Sequence, residues 1–434
     1  MSKESAEKRS MEVSASRASG PKRKWLWPVL FAWMSLFTLG LIDNSRGPVF
    51  PDLLKEFELS DTRGSFFFLV SSLASVVHNY TVRRFLAHAS PSRLVGIYTM
   101  IMAAGGLLIS VAQSYPVMLV ACALLGVGFG GLGVGQNAAV QEAPRKYRSR
   151  SMGLLHGMYG ISSFAAPLLI AGLSVIGWRF ALAVVCLPAV LVGFIVIGES
   201  LAHRWREKVR AGRPSTLTVA FDGMSPGQGL EPREPEHHES MKLSEAQSQA
   251  AGRTAAIVVG LLVVAEISIS SRLNLLARRE WGVTNESANG WLAAYFAAMT
   301  MARFSLGLFP LPVATKSLLK WAAISTVPLL LLAFLPLGLN PELRLMALIA
   351  FAFPIALGYP SVMTRIAEIF GSHAQSVTSR CVLYQAGGAM IMHFALGWGA
   401  DLVGLSLALA VVSVSAALGV VIYLGKLEKN VRFP

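Results

Sequence analysis

The sequence predicts an all-α membrane protein in which twelve transmembrane helices form two six-helix bundles. The chain of 434 residues is 54% hydrophobic and 14% charged, whereas a soluble protein carries about a quarter charged residues. Its apolar residues also come in continuous runs near the roughly 20 residues that one spanning helix needs, and not in amphipathic stripes. A polar segment near the middle of the chain leaves six runs on each side.

Each apolar run is long enough for one helix across a bilayer. The polar and basic residues 1–24, which precede the first run, lack a small-residue cleavage site after a short apolar core. We therefore expect them to form an uncleaved cytoplasmic tail. The runs cover, approximately, residues 25–50, 65–82, 94–112, 116–141, 151–175, 180–200, 254–276, 288–309, 317–338, 344–366, 379–400 and 403–424.

The chain changes character between residues 201 and 253, where Pro, Gly, Ser, Glu and charged residues replace the apolar runs. This composition predicts a cytoplasmic linker. It divides an N-terminal bundle at 25–200 from a C-terminal bundle at 254–424, and residues 425–434 form a second cytoplasmic tail. The linker contains the sequence Glu-His-His-Glu at 236–239, but one cluster in a solvated segment lacks the further ligands that a metal site needs.

Connections rich in lysine and arginine alternate along the chain with connections that are poor in them. The even-numbered connections and the C-terminal tail are rich in them, and the third and eleventh connections have none. By the positive-inside rule, we expect both termini and the linker in the cytoplasm and the helices in a plasma membrane, the inner membrane of a bacterium. This membrane topology explains the net charge of +14, so we do not expect a nucleic-acid partner. The expected partners are the lipid bilayer and a small-molecule solute, and the protein is expected to be a monomer.

No part of the sequence has the pattern of a catalytic triad, a nucleotide loop or a metal site, so we do not expect an enzyme or a bound cofactor. The segment Gly-Val-Gly-Phe-Gly-Gly at 126–131 contains GxGxxG, but it lies inside an apolar run with no strand before it. It predicts close packing between helices. Cys122, Cys186 and Cys381 fall inside apolar runs and are expected to be free, buried thiols.

The first run contains a charged segment with two prolines, from Asp43 and Asn44 through Arg46 to Pro48 and Pro51. A charge at bilayer depth costs roughly 3 kcal/mol on insertion scales, so Asp43 and Arg46 should face protein or a water-filled cavity. They are three residues apart and hence neighbours on one helical face. The segment is either the wall of a permeation path, in which Asn44 and Arg46 contact the solute, or the site of a structural ion pair.

The two halves repeat with an offset of 224 residues. Residues 57–61 before the second run correspond to residues 281–285 before the eighth, and Asp43 corresponds to Ile267. Glu266 therefore lies next to the equivalent of Asp43, at membrane depth in the seventh run. Because an acid buried in the membrane is costly to ionise, both carboxylates are candidate carriers of a coupling proton. The alternative is that Glu266 is paired with Arg272 or bonded within the bundle.

Other polar side chains inside the apolar runs are candidates for contact with a solute. His156 corresponds by the repeat to Tyr384 and Gln385, which places three polar residues at one depth. Hydrogen bonds between helices are the alternative use of such side chains. Arg272 either faces the cavity or snorkels towards the membrane surface. The predicted solute contacts, besides Asn44 and Arg46, are Gln136, Asn137, His156, Ser270, Asn274, Tyr384 and Gln385.

Two six-helix bundles joined by a central cytoplasmic loop resemble the major facilitator superfamily (MFS). Gly177-Trp178-Arg179 and the segment at 302–307 are similar to recurrent segments of that superfamily. The superfamily loop after the second helix usually reads Gly, Asp-Arg, Gly-Arg-Arg, and this chain has Arg83 and Arg84 there without the glycine and aspartate. The resemblance implies a conformational or loop role for Arg83, Arg84 and Arg303.

The seventh run resembles that of the fucose and glucose proton symporters. The similarity lies in Val263-Val-Ala-Glu266 with Ser268 and Ser270, and in Asp43 of the first run. The chain departs from that branch at Gln136, where the branch has a glutamate. Organic-anion members of the superfamily often bind their solute through an arginine of the first helix, which implies such a role for Arg46.

The resemblance implies a secondary active transporter that works by alternating access around a site near the membrane midplane. Its implied activity is proton-coupled uptake of a small polar solute, a sugar or an organic anion, with sodium as the other possible coupling ion. Proton-driven efflux of drug-like compounds is the alternative transport reaction. A membrane sensor that uses the same fold without transport is the alternative of another class.

Overall fold

A computed structural model describes residues 25–86, 90–211, 245–308, 315–370 and 374–431. Within these ranges the chain forms twelve α-helices, as the apolar runs predict. In chain order they are α1 (Leu26–Glu56), α2 (Asp61–Leu86), α3 (Pro91–Val111), α4 (Tyr115–Gln141), α5 (Arg145–Leu173), α6 (Trp178–Ala211), α7 (Glu245–Arg279), α8 (Asn285–Leu308), α9 (Thr315–Phe334), α10 (Pro341–Phe370), α11 (Ala374–Val403) and α12 (Leu405–Val431).

All of the described helices except α9 are longer than the apolar runs that predict them. α6 continues to Ala211 and α7 begins at Glu245, so both enter the predicted linker, whose residues 212–244 lie outside the described ranges. Eight of the described helices are long and apolar enough to cross a membrane. The other four described helices, α2, α8, α9 and α11, are not among the eight.

Each half contributes six helices that reverse direction at each connection. α1 begins and α12 ends on one face of the molecule, on which α6 also ends and α7 begins; we call this the terminal face. The other face carries the connections after α1, α3, α5, α7, α9 and α11, and we call it the opposite face. α2 packs against α11, α5 against α8, and α1 against α7, so six helices form the junction between the halves.

Glycines on α4 bring that helix into direct contact with the backbones of α2 and α3. A Cβ added at Gly126 would lie 2.1 Å from the backbone oxygen of Ser71, and one at Gly128 would lie 2.6 Å from Cα of Met102. The GxGxxG segment is thus a helix-packing surface, as predicted. Cys122 of the same helix is buried, and all three cysteines are free.

Polar contacts join the two halves at the opposite face. Arg278 of α7 pairs with Asp52 of α1 at 2.8 Å, and Arg279 pairs with Asp61 at the start of α2 at 2.7 Å. The carboxylate of Asp401 at the end of α11 accepts hydrogen bonds from the backbone N–H groups of Asp61 and Thr62 at 2.9 and 2.8 Å. This face of the molecule is therefore closed.

Candidate functional site

A cavity of about 160 Å³ lies at the junction of the halves. Both halves contribute to it, through α1, α2, α4 and α5 on one side and α7, α8 and α11 on the other. This is the midplane position at which transporters with repeated halves bind their solutes. Its lining consists of Asp43, Asn44, Arg46, Gly47, Phe68, Ser71, Ser72, Ser75, Phe129, Tyr159, Glu266, Ile267, Ser270, Ser271, Phe296, Ala386, Ala389 and His393.

The N-terminal half supplies an ion pair to the cavity wall. Asp43 and Arg46 are adjacent on α1, and Nη2 of Arg46 donates to Oδ1 of Asp43. Nη1 of Arg46 donates to Oγ of Ser71 on α2 at 2.8 Å. The guanidinium lies 5.2 Å from the ring centroids of both Phe68 and Phe129, so two aromatic rings and one hydroxyl fix its plane.

Helix α5 completes the environment of Asp43. The hydroxyl of Tyr159 donates to Oδ2 of Asp43 at 3.0 Å, so each oxygen of this carboxylate accepts a bond. Nδ2 of Asn44 donates to Oγ of Ser163 at 2.9 Å and to the backbone oxygen of Gly40 at 2.8 Å. Asn44 therefore lines the cavity while its amide nitrogen is bonded to protein.

The C-terminal half supplies a second ion pair. Nη2 of Arg303 on α8 donates to both carboxylate oxygens of Glu266 on α7, each at 2.9 Å. Ser270 and Ser271 lie one turn further along α7 and line the same cavity. Their hydroxyls donate to backbone oxygens of their own helix, so they can still accept a bond from a solute.

A third arginine lies behind the cavity wall. Arg272 of α7 is 2% exposed, and its guanidinium stacks on Phe50 at 4.2 Å and on Phe68 at 4.6 Å. Nη2 donates to Oγ of Ser65 across the junction at 2.8 Å. Arg272 is therefore buried inside the protein, and the predicted alternatives of snorkelling outward or facing the cavity are both wrong. His393 of α11 stacks on the same ring of Phe68 and lines the cavity.

The cavity thus combines two carboxylates with an arginine for each. Asp43 and Glu266 face the same enclosed space from opposite halves, and each is paired within its own half. Arg46 reaches the cavity directly, whereas Arg303 is not part of the lining. Protonating either acid would leave its arginine without a counter-ion, which is costly in a buried site. The arrangement can therefore link protonation to the binding of a new anion.

Five of the predicted site residues lie together in the cavity lining. They are Asp43, Asn44, Arg46, Glu266 and Ser270.

Gln136 and Asn137 lie outside the cavity lining. Gln136 is buried and its Nε2 donates to Oγ of Ser35 on α1 at 2.9 Å, which is a bond between helices. Nδ2 of Asn137 donates to the backbone oxygen of Gly133 in its own helix. For these residues the geometry favours the alternative of hydrogen bonding within the protein.

Four further predicted solute contacts also lie outside the lining. The ring of His156 packs edge-on against Tyr359 of α10 at 6.3 Å, nearer the terminal face than Tyr159. Nδ2 of Asn274 donates to Oδ1 of Asn289 on α8 at 2.9 Å. Tyr384 and Gln385 are not among the α11 residues that line the cavity, which are Ala386, Ala389 and His393.

Of the three arginines assigned to conformational or loop roles, Arg303 lies in the last part of α8, within the eighth apolar run as predicted. Its guanidinium bonds Glu266 beside the cavity, which was not predicted. Glu266 is thus held by an arginine, but by Arg303 and not by Arg272. Arg83 and Arg84 belong to the last part of α2, and their side chains lie outside the described residues.

Several lining residues were not predicted, although the sequence contains a signal for some of them. Tyr159 follows His156 by three residues, so it belongs to the same helical stripe as a residue that was noted. Ser71, Ser72 and Ser75 are three hydroxyls within one turn and a half of an apolar run. Phe68 and Phe129 have no such signal, because most aromatics in apolar runs only pack.

Comparison with solved structures gives the same architecture. A bacterial homologue of the human lysosomal transporter Spinster, in an inward-facing and unoccupied conformation, matches with a TM-score of 0.60 and 16% identity over 95% of this chain and 96% of that chain. A variant of the peptide transporter POT in complex with sulfate matches with a TM-score of 0.67 and 12% identity, over 93% of this chain and 95% of that chain. A variant of the E. coli fucose:proton symporter FucP matches with a TM-score of 0.58 and 14% identity, over 93% of this chain and 99% of that chain.

No curated protein sequence matches the chain. The sequence profile of the Major Facilitator Superfamily, however, matches residues 32–424, which cover all twelve helices at least in part. The structure has that superfamily's twelve helices in two halves around a central cavity. The chain therefore belongs to the Major Facilitator Superfamily and is a multi-pass membrane transporter, not an enzyme.

Proposed function

We propose that this transporter couples the uptake of a small polar solute, best an organic anion, to the movement of protons. The observation that carries the proposal is the single cavity into which Asp43, Glu266 and Arg46 all project. Intramembrane carboxylates that face a cavity are the usual carriers of protons. A guanidinium beside one of them is a ligand for a carboxylate or phosphate.

The donors of Arg46 support an anionic solute over an uncharged sugar. A guanidinium has five N–H donors. Three of these donors are occupied. Nε donates to the backbone oxygen of Asp43, Nη1 donates to Ser71, and Nη2 donates to the carboxylate of Asp43. The remaining N–H groups can bind a solute, and protonation of Asp43 would free another.

The size of the cavity supports a small solute. Pockets that bind drug-sized ligands have volumes of roughly 300–1,000 Å³, and this cavity has about 160 Å³. Its lining also includes five serines, the amide of Asn44 and three charged side chains, which are more polar groups than the few of a drug site. Efflux of drug-like compounds is therefore the weaker alternative.

The closed opposite face supports a mechanism of alternating access. Ion pairs from Arg278 and Arg279 and the cap from Asp401 hold the halves together there. Rocking of the halves would break these contacts and open the cavity to that side. We propose that the terminal face, with both termini and the linker, faces the cytoplasm and that the membrane is a bacterial inner membrane. The basic even-numbered connections support this orientation. We propose that the monomer is the transporting unit.

Transport by the purified full chain in proteoliposomes tests the proposal. A thermal-shift screen against sugars, carboxylates and phosphorylated solutes would first identify a binding compound. We expect a pH gradient that is acid outside the proteoliposomes, which drives protons inward, to accumulate that compound by symport, and a proton uncoupler to abolish the accumulation. Binding without flux would favour a sensor, and flux that follows a sodium gradient at constant pH would make sodium the coupling ion.

A further inference from the structure

Asp43 is held between two donors that come from different helices. Arg46, one turn away on α1, donates to Oδ1, and Tyr159 of α5 donates to Oδ2 at 3.0 Å. Arg46 contributes a positive charge. Tyr159 contributes a neutral donor that also lines the cavity, where a solute or water can reach it.

The position of Tyr159 is fixed by one face of α1. A Cβ added at Gly40 would lie 2.0 Å from Oγ of Ser162 and 3.1 Å from Cδ2 of Tyr159, so a larger residue there would press on both side chains. One turn further along, Asn44 donates to Oγ of Ser163, whose hydroxyl donates to the backbone oxygen of Tyr159. The bond to Asp43 thus depends on contacts on both sides of the tyrosine.

Glu266 has a different environment on the far side of the cavity. A single nitrogen of Arg303 donates to both of its oxygens, and no tyrosine hydroxyl within the described residues donates to that carboxylate. The hydroxyl of Tyr295 instead donates to the backbone oxygen of Glu266 at 3.4 Å. Asp43 is therefore the carboxylate whose ionised form receives a bond from a movable, neutral donor.

The other groups that face Asp43 determine what Tyr159 must do. Arg46 brings a positive charge to Asp43, and Glu266 of α7 brings a negative charge to the other side of the cavity. His393 of α11 is the remaining titratable side chain in the lining, while α2 and α4 contribute serines and phenylalanines, which carry no charge. A donor to a carboxylate stabilises the ionised form over the protonated form.

We infer that Tyr159 is a positioning residue for proton coupling, whose hydroxyl holds Oδ2 of Asp43 and releases it when Asp43 takes up its proton. In the coupling step a proton from water binds Oδ2 of Asp43. Tyr159 keeps its own proton and turns, so that its oxygen accepts a bond from the new O–H or its O–H points to the solute. The inference rests on the proposed role of Asp43 as a proton carrier.

Infrared titration of the full chain in liposomes tests the inference without a known solute. The signal of the protonated Asp43 carboxyl is assigned by its loss in Asp43→Asn. In Tyr159→Phe we expect the midpoint of this signal to move upward by roughly one to two pH units, the value of one hydrogen bond to a charged group. Tyr295→Phe, which removes a buried hydroxyl that does not contact Asp43, should leave the midpoint unchanged.

A second variant tests the opposite direction and keeps the ring. Incorporation of 3-fluorotyrosine at position 159 makes the hydroxyl a stronger donor, so the midpoint should move downward. An unchanged midpoint in Tyr159→Phe would overturn the inference. If Tyr159→Phe does not fold, an unchanged midpoint with 3-fluorotyrosine would overturn it. If no Asp43 signal titrates in the wild-type protein, the proposed function fails instead, which separates the two results.

Discussion

Glu56 and Glu280 occupy equivalent positions in the two halves and perform the same task. Glu56 accepts bonds from Trp178 and Arg179 at the start of α6, at 2.6 and 3.0 Å. Glu280 accepts bonds from the backbone N–H groups of Leu405 and Ser406 at the start of α12, at 3.0 and 3.3 Å. At the opposite face, the repeat in the sequence is also a repeat of contacts.

The cavity acids do not follow this repeat. The equivalent of Asp43 is Ile267, and the equivalent of Glu266 is Ile42, which is fully buried. Each half has therefore one acid in the cavity, but at a different helical position and with a different partner. The comparison indicates that the repeat preserves what holds the helices together, and that the halves differ where they meet the solute.

The largest effect is expected from neutralising the cavity acids. Asp43→Asn or Glu266→Gln should abolish pH-driven accumulation of the solute, because no proton then moves with it. Exchange of solute by counterflow should persist, since it needs no net proton movement. The measurement is uptake into proteoliposomes with and without a pH gradient, with Glu280→Gln as the control acid outside the cavity. Normal accumulation in both cavity variants would show that neither acid carries the proton.

A smaller effect is expected from Arg46→Lys. Lysine keeps the charge but lacks the planar fork, so an anionic solute should bind roughly 10- to 100-fold more weakly, as for the loss of a charge-assisted bond. Titration calorimetry of the purified protein would measure the dissociation constant. Arg179→Lys, at the opposite face and outside the cavity, should leave the affinity unchanged. Equal binding by Arg46→Lys would restrict Arg46 to a structural role as partner of Asp43.

Glu280→Gln should affect stability and not solute affinity. The variant weakens the cap on α12, and the loss of a helix cap costs about 1 kcal/mol. A lower apparent Tm with an unchanged dissociation constant is the expected result. A large loss of affinity would mean that the repeated contacts at the opposite face also act on the cavity, and the distinction between the two regions would fail.

The smallest effect is expected from Asn137→Ala. Its amide bonds its own helix and it does not line the cavity. Solute affinity should stay within about twofold of wild type, the range of substitutions away from a site. A larger loss of solute affinity would mean that Asn137 contacts the solute, as predicted from the sequence.

The number and order of the helices could be predicted from the sequence because hydropathy over some 20 residues decides whether a segment spans a membrane. The pairing of Asp43 with Arg46 could also be predicted, because residues three apart on a helix are neighbours in any fold. Close packing of α4 also followed from its own glycines. These features depend on local sequence alone.

The rest of the site depends on how the helices pack. Glu266 and Arg303 are 37 residues apart and meet only because α7 and α8 lie side by side. On α11, a rotation of the helix by one residue position decides whether Gln385 or Ala386 faces the cavity. Hydropathy does not determine that rotation, since both sides of α11 are only moderately apolar. Predicted residues such as Tyr384 and Gln385 therefore fell outside the lining.

The glycine contacts of α4 also have a mechanical consequence. Where backbone touches backbone, no side chain can change rotamer to absorb a movement, so α2 and α4 must tilt as one rigid body. Helix α2 carries Ser71 at the cavity and, two turns earlier, Ser65, whose hydroxyl lies against Gly397 of α11. A tilt that separates α2 from α11 at the opposite face must therefore also displace the cavity wall, which would link opening to solute release through stiffness alone.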